Sequence, residues 1–166
     1  FDKSGKLLGF EYPAGPKIDK IAKDGDPSKF KFTKPNVADL DFSFSGLKTN
    51  FKNFILSKNK SFIDDNLNDI CASLQMTITD ILIDKIKVAS KRFKINQIVV
   101  CGGVSANSQL RYKLKALEDG EIKTYVPEIQ YSTDNAAMIG ICGYYKFLES
   151  NYGNLKDQST AKYPLS

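Results

Sequence analysis

From Ile63 onward, apolar residues recur at Leu67, Ile70, Cys71, Leu74, Ile78, Ile81, Leu82, Ile86 and Ala89. Steps of three and four keep these positions on one helical face, so the spacing predicts one long, mostly buried helix ending near Phe93. The β-branched run Ile98-Val99-Val100-Cys101, bounded by Gly102-Gly103, predicts a buried parallel strand within Ile95 to Cys101. Leu110, Leu114 and Leu117 mark a helix that stops at Asp119-Gly120. Ile122 to Val126 reads as a second strand closed by Pro127, and the apolar positions from Ala136 to Leu148 as a last helix before a polar tail. Strand, helix, strand, helix makes the second half α/β.

The first half is less regular. Ile18, Ile21 and Ala22 predict one short helix, with Pro16 at its first position and Gly25 past its end. Phe30 to Leu40 carries Pro35 and reads as extended chain or loop. The alternation in Asp41-Phe42-Ser43-Phe44-Ser45-Gly46-Leu47-Lys48-Thr49 predicts a short strand, with Phe42 and Phe44 in the core, leading into a helix over Asn50 to Leu56; Lys58-Asn59-Lys60 is a break.

With 166 residues, 42% of them apolar, the chain is one domain at most, with material for a core. No apolar run is long enough to span a membrane and no signal-peptide pattern opens the chain, which makes a cytoplasmic protein the expectation. Position 1 is Phe and the opening residues look internal, so the sequence reads as a piece of a longer protein. Histidine is absent, which removes Ser/His and Cys/His catalysis and the commonest zinc ligand from this chain. Cys71, Cys101 and Cys142 each sit among apolar neighbours and read as buried free thiols. The net charge of +5 comes from 24 basic against 19 acidic residues. The lysines are spread along the chain, as on a solvated surface, although an RNA-facing side needs no more than this.

Two turns carry candidate chemistry. At Gly102-Gly103-Val104-Ser105-Ala106-Asn107 a strand ends in two glycines and enters a helix that Ser105 or Asn107 would cap. This suits an anionic or polar ligand, and equally suits a plain tight turn. At Ser132-Thr133-Asp134-Asn135 a second strand leads into a helix that Thr133 or Asp134 would cap, and an Asp there either caps or ligates. If the two strands are parallel neighbours, Asn107 and Asp134 come to one edge of the sheet. Gly15, at a third helix start, Asp2 and Lys48 are further candidates.

These strings resemble a known family. Gly102-Gly103-Val104-Ser105-Ala106-Asn107 with Leu110-Arg111, and Thr133-Asp134-Asn135-Ala136-Ala137-Met138-Ile139, look like the two C-terminal motifs of the TsaD family, the tRNA N6-adenosine threonylcarbamoyltransferases. Phe1-Asp2-Lys3, Leu8 to Pro16 and Asp41 to Thr49 match in the same order, so the resemblance runs from residue 1 to about 145, with 146–166 as a peripheral tail. It implies an α/β, helix-rich, partial second lobe of an ASKHA (actin/Hsp70/sugar-kinase-like) fold with a small sheet, lacking the first lobe and the first strands of the second. By motif, Asp2, Gly15 and Asn107 match positions that contact threonylcarbamoyl-adenylate, with Gly102 and Gly103 as further nucleotide contacts. Asp134 matches a ligand of one divalent metal, iron or zinc, whose histidine ligands this chain lacks. The implied substrates are tRNA and threonylcarbamoyl-AMP. The implied bacterial partners are a TsaB-like paralogue, a TsaE-like ATPase and a TsaC-like adenylate synthase. No residue is an evident general base, and Asp2 or a group on the first lobe would have to serve. On this expectation the whole protein is the transferase and this chain alone is inert. Another ASKHA enzyme, a carbamoyltransferase or kinase, and a non-catalytic partner-docking lobe are the alternatives. The Ser43 to Thr49 string argues against the first, since a general nucleotide cleft does not need it.

Overall fold

The computed structural model describes residues 1–159, which divide into two compact units, Phe1–Ser132 and a second from Thr133 onward. The first unit is organised on one long helix, α5 (Leu67–Phe93), which between Ile70 and Ile83 contributes more buried residues than any other helix among the described residues. Two helices precede residue 30 where the sequence suggested one: α1 (Asp2–Leu7) and α2 (Gly15–Ala22). α1 is too short to show a period in its sequence. α2 seats Ile18 and Ala22 against α5, with Pro16 inside its first turn.

The expected strand over Asp41 to Thr49 is not formed. Residues 41–44 are irregular and α3 runs Ser45–Leu56, because Leu47, Phe51 and Ile55 fall at helical spacing and all three are buried. Phe42 and Phe44 are correspondingly not core residues; they are 52% and 39% exposed. The segment from Phe30 to Leu40 has no regular structure, as expected. It drops Phe32 between Phe51 and Phe54, with edge-on rings 5.2 and 5.4 Å away. The break at Lys58-Asn59 is a cap: the Asn59 side chain accepts the Phe62 N–H at 2.8 Å and opens α4 (Lys60–Asp65).

After α5, β1 (Gln97–Val99), α6 (Ser108–Leu117) and β2 (Lys123–Tyr125) form one βαβ unit. The strands are parallel, with Gln97 opposite Lys123 and Val99 opposite Tyr125. A small second core of Ile83, Leu110 and Leu114 joins α6 to α5. The strands are not buried as their composition suggested. Val99 is 72% exposed, since α6 packs beside a sheet of only two strands whose other face has no cover in this unit. Lys113 fastens α6 to α5, its ammonium donating to Thr79 Oγ1 at 2.8 Å and pairing with Asp80. Asp80 is also paired with Lys34 at 3.1 Å. Burial opposes ionisation of Asp80, but the two ammonium groups outweigh it and hold its carboxyl below the usual value.

Only one cysteine is buried. Cys71 lies in the core of α5, where burial pushes its thiol up to about 12, whereas Cys101 and Cys142 are exposed. Cys101 follows the open strand, and Cys142 lies on a helix that has no buried residue. That helix, α7 (Ala136–Leu148), is the regular element of the second unit. Its cap is Asn135, whose side chain accepts the Met138 N–H at 3.0 Å, rather than Thr133 or Asp134. The helix covers the expected Ala136 to Leu148, and only its cap differs. No helix among the described residues is long and apolar enough to cross a membrane.

Candidate functional site

α1 and α2 meet through a close approach. A Cβ on Gly5 would sit 2.2 Å from Ala14 Cβ, so glycine is what lets the two segments touch. The contact puts Asp2 at the start of α2, where its Oδ1 accepts the Ala14 N–H at 2.8 Å. Gly15 follows as the first residue of α2, and a Cβ there would meet Phe1 at an ordinary 3.8 Å. Asp2 and Gly15 are thereby brought together, with Asp2 Oδ1 committed to the backbone.

One turn further along α2, Asp19 reaches the start of α6. Its Oδ1 accepts from Asn107 Nδ2 at 3.1 Å, from the Ser108 N–H at 3.1 Å and from Ser108 Oγ at 2.7 Å. Asn107 Nδ2 also donates to Gln75 Oε1 at 2.8 Å, while Asn107 Oδ1 caps α6 by accepting the Leu110 N–H at 3.0 Å. Asn107 is 8% exposed. Both amide hydrogens are used within the protein, so any ligand contact it makes goes through the remaining lone pair of Oδ1. Asp2, Gly15 and Asn107 thus all bear on α2. The sequence did not single out Asp19 or Gln75. Asp19 was signalled by its place four residues after Gly15, and Gln75 by being a polar residue amid the apolar run of α5.

Between β1 and α6 the chain makes a tight turn. Gly102 has φ +88°, a conformation for which a side chain is strained. A Cβ on Gly103 would meet nothing within 4 Å, so the backbone here is open to approach. Ser105 Oγ donates to Ser132 Oγ at 3.2 Å, and Arg111 reaches the Pro127 carbonyl and Ser132. The loops that follow β1 and β2 therefore meet at one end of the sheet, up to Ser132. Arg111 Nε is buried with no hydrogen-bond partner among the described residues.

A cleft of about 470 Å³ opens beside Asp2. Phe1, Lys3, Phe44, Ser45, Lys48 and Val104 are among its lining residues. Lys48, a candidate from the sequence, therefore shares this cleft with Asp2.

Asp134 lies in the second unit, exposed in the bend before α7. The described residues contain no group of three or more His, Cys, Asp or Glu side chains placed to hold a metal ion. A single exposed carboxylate does not hold a divalent metal by itself, because it displaces too little of the ion's water, so any site that uses Asp134 needs ligands from outside the described residues. No chemistry of this chain is routed through one.

A sequence profile described as "TsaD: tRNA N6-adenosine threonylcarbamoyltransferase" matches residues 1–141. The chain belongs to the TsaD family. TsaD relatives named tRNA N6-adenosine threonylcarbamoyltransferase include one from Christiangramia forsetii, 50% identical over 98% of this chain and 49% of its own length. Another, from Phocaeicola vulgatus, is 46% identical over 91% of this chain and 46% of its own length. A third, from Riemerella anatipestifer, is 43% identical over all of this chain and 50% of its own length. The chain spans about half the length of the curated TsaD relatives it matches.

Proposed function

We propose that this chain is part of a tRNA-modifying transferase that moves a threonylcarbamoyl group from threonylcarbamoyl-adenylate to N6 of the adenosine beside the anticodon. The observation that carries the reading is the convergence of Asp2, Gly15 and Asn107 on α2, because these are the positions that the family motifs assign to the adenylate. In the reaction the N6 amine attacks the carbamoyl carbon, a C–N bond forms, the bond from that carbon to the phosphate oxygen breaks, and AMP leaves. The amine gives up one proton. Asp2 Oδ1 is held by Ala14, which leaves Oδ2 as the oxygen that takes this proton. The open backbone at Gly103 and the first turn of α2 supply N–H groups for the phosphate.

The wider assignment follows from the same resemblance. It comprises an ASKHA second lobe completed by the remainder of the protein, one divalent metal to which Asp134 contributes, and partners resembling TsaB, TsaE and TsaC. This chain by itself is inactive on that reading, because it supplies one metal ligand and no evident base besides Asp2. Calorimetric titration of AMP into the protein as its gene encodes it, and into the 166-residue chain, tests the assignment. Binding to the encoded protein that weakens at least tenfold in Gly15→Val supports it. Equal binding by the chain alone would make this a self-sufficient nucleotide domain and contradict it.

A further inference from the structure

Phe42 and Phe44 stand exposed with their rings nearly parallel, 6° apart, and their centroids 6.4 Å apart. Apolar rings are ordinarily drawn into the core, and α3 begins immediately after them with Leu47, Phe51 and Ile55 turned inward. The two phenyl rings stay outside that core. Phe44 is the N-cap of α3, its carbonyl accepting the Lys48 N–H at 2.8 Å. The centroid distance is that of an offset-stacked pair, so each ring keeps an outer face open. Phe44 lines the cleft that Asp2 borders, together with Lys3, Ser45 and Lys48. Neither lysine has an ion-pair partner among the described residues, so two ammonium groups share the cleft with Phe44 and the Asp2 carboxylate.

We propose that the Phe42–Phe44 pair is a stacking site for an adenine ring, with Lys3 and Lys48 neutralising the phosphate attached to it. Flat exposed aromatic faces beside unpaired ammonium groups are how proteins hold an unstacked base. A base that receives chemistry at an exocyclic amine has to leave its own stack and be held elsewhere. The inference rests on the transferase reading, which offers two sources of adenine: the acceptor adenosine of the RNA and the adenine of the adenylate.

The test uses the protein as its gene encodes it, with its partner proteins, and compares Phe42→Leu, Phe44→Leu and the double variant with wild type. Leucine keeps apolar bulk and removes the aromatic face. One arm places 2-aminopurine at the acceptor position of an anticodon stem-loop and follows its fluorescence on binding, together with KM and kcat for tRNA. The other titrates AMP. Stacking on one ring is worth a factor of about 5 to 150 in affinity. If the acceptor base is the guest, wild type quenches 2-aminopurine, the double variant loses the quench, and KM for tRNA rises by that factor while AMP affinity holds. If the adenylate is the guest, AMP affinity falls by that factor and the fluorescence does not change between variants. Either result supports the stacking site. Quench, KM and AMP affinity all equal to wild type would overturn it, as would variants whose melting temperature drops while both ligands still bind normally, since the rings would then pack against another part of the protein. Should wild type fail to modify tRNA at all, the transferase reading fails rather than the stacking site.

Discussion

Replacing Asn107 with Ala removes three interactions that converge on one half-turn of chain. The Leu110 N–H loses its cap, which costs about 1 kcal/mol. Gln75 Oε1, in a residue buried on α5, loses the donor 2.8 Å away, and an unsatisfied buried acceptor costs about 1–3 kcal/mol. Asp19 loses one of its donors but keeps both contacts to Ser108, so its share is small. Together Asn107→Ala destabilises the chain by about 2–4 kcal/mol, a large part of the roughly 5–15 kcal/mol of a typical domain. Asn107→Ser keeps a capping oxygen and recovers about 1 kcal/mol of this. Asn107→Asp keeps the cap as well, yet sets a carboxylate against Asp19 and falls at or below the Ala variant. Urea denaturation with an unchanged slope reads these differences from the midpoints. An Ala variant within about 0.5 kcal/mol of wild type, or a Ser variant no better than Ala, would refute the assignment of Asn107 as the clasp between α2, α5 and α6.

Three further outcomes follow from the geometry. Gly5→Ala drives a methyl into Ala14 and lowers stability by about 1–3 kcal/mol, and Ala14→Gly in the same chain restores most of it, as thermal melting of the single and double variants would show. Asp80 has a folded pKa below its ordinary value near 3.9, so its stabilising contribution is complete above that value and is lost as pH falls through the lowered folded pKa. Melts between pH 5 and pH 2 decline less steeply in Asp80→Asn, and an identical slope would contradict the Lys113–Asp80–Lys34 network. Alkylation at pH 8 labels Cys101 and Cys142 in the folded chain and reaches Cys71 only on unfolding; two protected thiols in the native state would contradict the fold.

The long helix was legible because its period persists for seven turns, and the two parallel strands because glycine and proline bound them. The Asp41 to Thr49 string misled because polar and aromatic residues alternate over only five positions, while the Leu47-Phe51-Ile55 spacing that decides the matter begins inside it. The exposure of Val99 and Cys101 could not be read, since composition reports what a strand is made of and not how many neighbours cover it. Asp2, Gly15 and Asn107 were found by motif. That they meet at α2 depends on Gly5 and Asp19, whose importance lies in a close approach and a long-range hydrogen bond that no local pattern encodes.

The central claim is that these residues serve threonylcarbamoyl transfer to tRNA. Its most direct test is nucleoside mass spectrometry of tRNA incubated with threonylcarbamoyl-adenylate, the partner proteins and the protein as its gene encodes it, beside Asp2→Asn and the 166-residue chain in its place. Asp2→Asn keeps an oxygen for the Ala14 N–H and removes the carboxylate charge. The account predicts N6-threonylcarbamoyladenosine with wild type, a loss of about 100-fold or more in rate with Asp2→Asn, and no product with the chain alone. Wild-type rates in Asp2→Asn would contradict the role of Asp2, and the absence of product with the wild-type protein and its partners would contradict the proposed function.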